Sequence, residues 1–184
     1  STKENEVSSG NISVPARLFD LIFFKVILFL AFHNTFFSFF SLIFVAIDLI
    51  FNNMKVAIIG AGNMGGAIAR GLAQGTIIPA SDVTVADPFS GSLDALQADY
   101  PEINLTTENP KAIKDADIVI LAVKPWLIDQ VLSVIHLTPQ QVLVSIAGGV
   151  TFEQLVKSVG PEQTIFRLIP NTAISQLESM TLIS

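Results

Sequence analysis

Cysteine is missing from this sequence, which excludes disulfides, thiolate metal sites and cysteine nucleophiles. Histidine is almost missing as well. His33 and His136 are the two present and lie far apart in the chain, so a histidine-based metal cluster or triad is not expected, and His136 reads as a surface residue near a helix end. Positive charge is scarce: ten Lys and Arg stand against sixteen Asp and Glu, a net charge of −6 that argues against a nucleic-acid surface. Phenylalanine is scarce only in one part. Residues 54 to 184 hold three of the fourteen, while residues 1 to 53 hold eleven. With 184 residues there is room for one domain and little more.

The Phe-rich part contains Val26 to Ile47, 22 residues without a formal charge when His33 is neutral, long enough to span a bilayer as a helix. Against a membrane segment, His33, Asn34 and Thr35 interrupt its middle, Asp48 closes one end, and the basic flanks are too sparse to set an orientation. It is a poor signal peptide too, with Glu4 and Glu6 in the n-region and no small-residue cleavage pattern. Met54 lies one residue before the first predicted strand and makes a natural initiator. Residues 1 to 53 are therefore read as an apolar leader that is non-native or, alternatively, as a membrane anchor over residues 18 to 51. The expected location is cytoplasmic in the first case and membrane-attached in the second. Neither reading gives the leader any chemistry.

The stretch that carries information is Lys55 to Gly75, KVAIIGAGNMGGAIARGLAQG. Lys55 to Ile59 is the short β-branched run of a parallel strand buried on both faces. Gly60, Gly62 and Gly65 then fit G-x-G-x-x-G: a tight turn, a close backbone approach to a pyrophosphate, and a close helix-strand contact. Asn63 to Ala73 is the predicted helix, whose free N–H groups and positive dipole end face the place an anion would take. A second strand, Val83 to Ala86, ends at Asp87, 22 residues after Gly65. That context strengthens a six-residue motif that is weak alone. A carboxylate at the tip of this strand accepts hydrogen bonds from the adenine ribose hydroxyls; otherwise Asp87 is a strand-end or capping residue.

Further along, the pattern predicts a helix over Ser92 to Asp99, a brief strand within Pro101 to Thr106, and a helix over Asn109 to Lys114 with Asn109 as N-cap. Ala116 to Pro125, ADIVILAVKP, reads as a central strand turning at the edge where ligands lie in open α/β sheets. Lys124 sits at that edge, as a cofactor contact or a solvent lysine. Trp126 to Ile135 is the next predicted helix, with Trp126 expected to pack. Val142 to Ile146 is strand 5, and the glycines after Ala147 suggest close approach by a ligand. Thr151 caps a helix to Val159, and Thr164 to Ile169 is strand 6, ending in Pro170-Asn171-Thr172.

In this order, AIIGAGNMGGAIARGL, LAVKP, SIAGG and RLIPNT resemble the N-terminal half of a pyrroline-5-carboxylate reductase, over the 131 residues from Met54 to Ser184. The resemblance implies an α/β fold, a Rossmann doubly wound parallel sheet of strand order 3-2-1-4-5-6, and an oxidoreductase that reduces a small cyclic imine to proline with NADH or NADPH. By position it implies that Ile59, Gly60, Ala61, Gly62, Asn63 and Met64 hold the pyrophosphate and Asp87 the adenine ribose. Asn109, Ala122, Val123, Lys124 and Pro125 would hold the rest of the cofactor, and Ile146, Ala147 and Gly148 the nicotinamide end. Asp87 favours NAD, since many family members carry residues suited to a 2′-phosphate there; NADP is the alternative. Position 173 is alanine where the family usually has proline, and QLES stands where a glycine-rich segment is expected. The family's second, helical domain makes a homo-oligomer and supplies most groups that bind and protonate the imine. It is expected to be absent before Ser184, so no catalytic residue is named. Two other readings stay open: a membrane-tethered nucleotide-sensing module, and an enzyme like the beta-hydroxyacid dehydrogenases.

Overall fold

A computed structural model describes residues 54–75, 77–176 and 182–183. The expectations for residues 1–53 lie outside the described residues. The predicted strands form a sheet of order β3-β2-β1-β4-β5-β6-β7. Its members are β1 (Val56–Ile59), β2 (Val83–Ala86), β3 (Asn104–Thr106), β4 (Ile118–Leu121), β5 (Val142–Ser145), β6 (Thr164–Ile169) and β7 (Leu182–Ile183). The first six are parallel, in the order expected, and β7 adds an antiparallel strand on β6 that the sequence did not announce.

Strand β1 is buried at every position, as a central strand covered on both faces must be. Alternation along the strands sends Ala57, Ile59, Val119, Leu121, Leu143 and Ile165 to one face. There they pack with Ile113 of α3 (Asn109–Ile113), Ile128, Val131 and Leu132 of α4 (Ile128–Leu132), and Leu155 of α5 (Phe152–Val159). Helix α1 (Asn63–Gln74) contacts β1, β2 and α2 (Ser90–Asp99). At α5 the expected cap is present. Thr151 Oγ1 accepts the Gln154 N–H at 3.3 Å and Gln154 Oε1 accepts the Thr151 N–H at 2.8 Å, a reciprocal capping box. The backbone N–H of Glu153, with the Thr151 hydroxyl, holds the Glu153 carboxyl below its ordinary range.

Two local expectations are corrected. Glu108, not Asn109, occupies the N-cap of α3; Asn109 is its first helical residue, and Pro110 fits in the first turn because its missing N–H has no intrahelical acceptor there anyway. The predicted helix over Trp126 to Ile135 is a 3-10 turn, Pro125–Leu127, followed by one α-helical stretch that ends at Leu132. Ile128, Val131 and Leu132 take its inner face, and Trp126, ahead of them on the turn, is 76% exposed instead of packed. No helix among the described residues is long and apolar enough to cross a membrane.

Gln141 is a buried polar residue that the sequence reading passed over. Its Nε2 donates to the carbonyls of Ile113 at 2.6 Å and Ala116 at 2.9 Å, and its Oε1 accepts the Thr138 N–H at 2.9 Å. One side chain thus ties the turn before β4 to the turn before β5. Replacing Gln141 with leucine strands these groups, and a loss of about 1–3 kcal/mol is expected. Urea denaturation measures it; a change below about 0.5 kcal/mol, the range of inert surface substitutions, would show that the tie carries no stability.

Candidate cofactor site

Because six strands run parallel, the segments that leave them at their C-terminal ends meet along one edge of the sheet. Backbone bonds stitch that edge together. The Gly60 N–H donates to the Ala86 carbonyl at 2.7 Å, the Ala122 N–H to Ile59 at 2.8 Å, the Asp87 N–H to Thr106 at 3.2 Å, and the Ile146 N–H to Leu121 at 3.1 Å. The residues implicated by sequence differ in burial along this edge. Ile59, Ala61, Asp87 and Ala147 are buried, while Gly62, Asn63, Lys124, Pro125 and Gly148 are exposed. Met64, Asn109, Ala122, Val123 and Ile146 are half-buried. The ion pairs among the described residues, Arg70 with Asp99 at 3.5 Å and Lys111 with Glu108, involve neither Asp87 nor Lys124.

The three motif glycines differ in what they answer to. Gly60 has φ +104°, and a Cβ there would lie 2.8 Å from the Ala122 carbonyl oxygen, so both backbone and packing require glycine. A Cβ on Gly65 would collide with the Gly60 carbonyl oxygen; helix and loop touch backbone to backbone at that point. Gly62 is unlike both. Its φ of −65° suits any residue, and a Cβ there would meet nothing within 4 Å. Nothing inside the protein asks for glycine at position 62, whereas a group approaching from outside would. Gly62 is also the N-cap of the 12-residue α1, with no side chain capping it. The first-turn N–H groups have no intrahelical acceptor. An uncapped helix start beneath an unfilled glycine position is a cradle for an anionic diphosphate, and the residues present fit that group.

Asp87 closes the far side of the cradle. It is 9% exposed; its Oδ2 accepts the Ala61 N–H at 2.7 Å and its Oδ1 accepts the Phe89 N–H at 2.9 Å. The carboxylate therefore joins the glycine loop to the turn after β2. Each oxygen keeps a further lone pair, so contact with ribose hydroxyls is still available to it.

Sequence reasoning missed Gly71 and Phe89. A Cβ on Gly71 would run into the Ile174 carbonyl oxygen, so the 3-10 turn Thr172–Gln176 after β6 is seated on α1 at that glycine. A glycine inside a helical pattern is the signal that could have shown it. Phe89 is 75% exposed beside Asp87. A recess of about 250 Å³ lined by Lys55, Asp82, Asn104, Lys111 and Asp115 touches none of the predicted site residues; it opens at the opposite edge, where the strands begin. Among the described residues, no group of three or more His, Asp or Glu is placed to hold a metal ion.

A protein-family model described as NADP oxidoreductase, coenzyme F420-dependent, matches residues 55–149. The chain is 39% identical over 121 residues to the pyrroline-5-carboxylate reductase of Escherichia coli, covering 64% of this chain and 44% of that protein. It is 35% identical over 121 residues to the one from Pseudomonas aeruginosa, covering 64% and 43%. The chain thus spans less than half the length of these curated relatives. Among solved structures, a Coxiella burnetii pyrroline-5-carboxylate reductase superimposes with a TM-score of 0.65 at 29% identity, covering 72% of this chain and 49% of that one. A Plasmodium falciparum pyrroline carboxylate reductase with NADP bound gives 0.63 at 29% identity, with 72% and 48% covered.

The contrast between Gly62 and Gly65 is testable by alanine substitution. Gly65→Ala forces loop and helix apart and is expected to cost about 1–3 kcal/mol or more, as overpacking does. Gly62→Ala, at a cap, should stay within about 1 kcal/mol of the parent yet weaken dinucleotide binding. Thermal unfolding and NADH titration of both variants check this; undiminished NADH affinity in Gly62→Ala would remove the cradle.

Proposed function

The chain belongs to the family of NADP oxidoreductases described as coenzyme F420-dependent, and from that premise we propose that it is the cofactor-binding part of an enzyme reducing 1-pyrroline-5-carboxylate to L-proline. The cofactor itself is a pyridine nucleotide. The observation that carries the reading is the uncapped start of α1 under Gly62, placed where the ends of β1, β2 and β4 meet. The four matching sequence motifs and the likeness to the pyrroline-5-carboxylate reductases point to the same enzyme.

Reduction of a cyclic imine adds a hydride to carbon and a proton to nitrogen, and a bound nicotinamide supplies the hydride. The described residues have three tasks. The first-turn amides of α1 receive the diphosphate, and the helix dipole favours its charge. Asp87 meets the adenine ribose while holding Ala61 in the loop. Lys124, exposed at the end of the β4 segment, and Ile146 to Gly148, after β5, line the path of the nicotinamide half. These tasks are binding and orientation, which is the protein's share in a cofactor reaction. The imine-binding groups and the homo-oligomer are assigned to the remainder of a longer enzyme.

On this reading the 184-residue chain binds NADH but turns over slowly with pyrroline-5-carboxylate, since substrate positioning is worth up to roughly 7–11 kcal/mol of a barrier. Calorimetric titration with NADH followed by an absorbance assay with the imine tests both halves. Turnover in the ordinary enzyme range of about 1–1000 per second would mean that the chain holds a complete site. Absence of NADH binding would sink the reading, and binding with no reduction by any longer form of the protein would favour the nucleotide sensor.

We further propose that this chain prefers NAD over NADP, although the Plasmodium falciparum relative has NADP bound. The Asp87 carboxylate would face the 2′-phosphate of NADP, and no lysine or arginine among the described residues pairs with it; Lys111 is engaged with Glu108. Two unit charges about 4 Å apart repel by about 1 kcal/mol in water and about 4 kcal/mol at an effective dielectric near 20, enough for a several-fold preference. Asp87→Ser should weaken NADH binding and narrow or reverse the ratio of the two dissociation constants. An unchanged ratio would leave Asp87 with its loop-tethering role alone.

A further inference from the structure

Arg167 is the one charged residue in the last row of the parallel sheet. That row runs Thr106, Ala86, Ile59, Leu121, Ser145, Arg167 in parallel register, and every strand except β6 ends on it. Residues of one row share a face, here the core face that Ala86, Ile59 and Leu121 fill. Arg167 therefore stands on the side of the sheet that α5 covers. It is half-buried, and it forms no hydrogen bond or ion pair with any described residue. Glu153, in the first turn of α5, feels its charge, yet the Glu153 carboxyl is held more strongly by its own backbone N–H and by the Thr151 hydroxyl. A guanidinium drawn partly out of water without a carboxylate to meet it is a cost that nothing in the described fold offsets.

The segment beside Arg167 is bare. Its register partner Ser145 is followed directly by Ile146, Ala147 and Gly148, the expected nicotinamide end. A Cβ at Gly148 or Gly149 would meet nothing within 4 Å, and of the two only Gly149, at φ +80°, is required by the backbone. At position 148, as at position 62, no contact inside the described structure asks for glycine. The reaction proposed above brings an anion to this end of the sheet, since the imine and its product both carry a carboxylate. We propose that Arg167 is a carboxylate receptor at the nicotinamide end of the site, holding both oxygens with its planar fork. Two sources offer that chemistry: the small-molecule substrate, and an acidic side chain in the remainder of a longer enzyme. The assignment rests on the cofactor reading for the place of the nicotinamide, but the receptor itself is defined by Arg167.

The test follows the Nε–H resonance of Arg167 in the isotope-labelled 184-residue chain, identified by its disappearance in Arg167→Lys, while acetate replaces chloride at constant ionic strength. Arg70, engaged with Asp99 at 3.5 Å, is the internal control. Acetate and L-proline should each shift the Arg167 resonance along a saturating curve and leave Arg70 in place, whereas prolinamide, which lacks the carboxylate, should move neither. The accompanying shifts in the amides of Ile146 to Gly148 should be lost in Arg167→Gln. A response at Arg167 that is absent, does not saturate or is matched by Arg70 overturns the receptor, as does an equal response to prolinamide. Where the receptor stands, its source follows from the cofactor: L-proline binding more tightly than acetate only when NAD+ is present marks a substrate site, and any other pattern marks a docking point for a protein carboxylate. A parent chain that fails to bind NADH sinks the cofactor reading instead, and the acetate titration, which needs no cofactor, tells the two failures apart.

Discussion

The contact on which the rest of the site depends is the one between Gly65 and the carbonyl of Gly60. A side chain at position 65 would occupy the place of that oxygen. With bare backbone on both sides, α1 starts close against the end of β1, after the three residues Gly60 to Gly62, and its first-turn amides lie at the sheet edge. Move the helix outward by a methyl group and three things shift together: the amides, the Ala61 N–H held by Asp87, and the register of the β4 turn behind Gly60.

Electrostatics at this edge is arranged with few charges. On the proposed reading the anion is met by neutral N–H groups and a helix dipole, while the one buried acid is spent on backbone amides. A carboxylate that accepts two amide hydrogens needs no cation beside it, and none among the described residues forms an ion pair with it. This is how a chain poor in lysine and arginine can hold an anionic ligand: oriented dipoles do locally what a basic patch would do over a wider surface.

Much of this was legible in the sequence, for reasons that differ by element. Strands β2 and β6 have the predicted ends because turn-forming residues, Asp87-Pro88 and Pro170-Asn171, stop them abruptly. The α5 start was readable from Thr151 because a capping box is a purely local device. Elements shaped by distant partners were not readable. The helix expected over 126 to 135 is short since only Ile128, Val131 and Leu132 find the core. Gln141 carries no local signal, because its amide satisfies two carbonyls more than twenty positions away. The motif spacing already gave the three glycines different roles, and the coordinates add which of them the fold itself demands: Gly60 and Gly65, where a Cβ would collide with backbone, and not Gly62, where it would meet nothing within 4 Å. Asp87 was read for what it offers a ligand; its bond to Ala61 links residues 26 positions apart and has no signature in the sequence.

Trp126 has an optical consequence. It is the only tryptophan in the chain, it stands 76% exposed, and the turn that carries it directly follows Lys124 at the sheet edge that bears the glycine loop. An indole so hydrated emits at the long-wavelength end of its range, and reduced nicotinamide absorbs in that same band. The protein therefore carries its own energy-transfer donor on the edge where the dihydropyridine acceptor would come to rest, and quenching of its native emission would register arrival of the reduced ring without any label being attached.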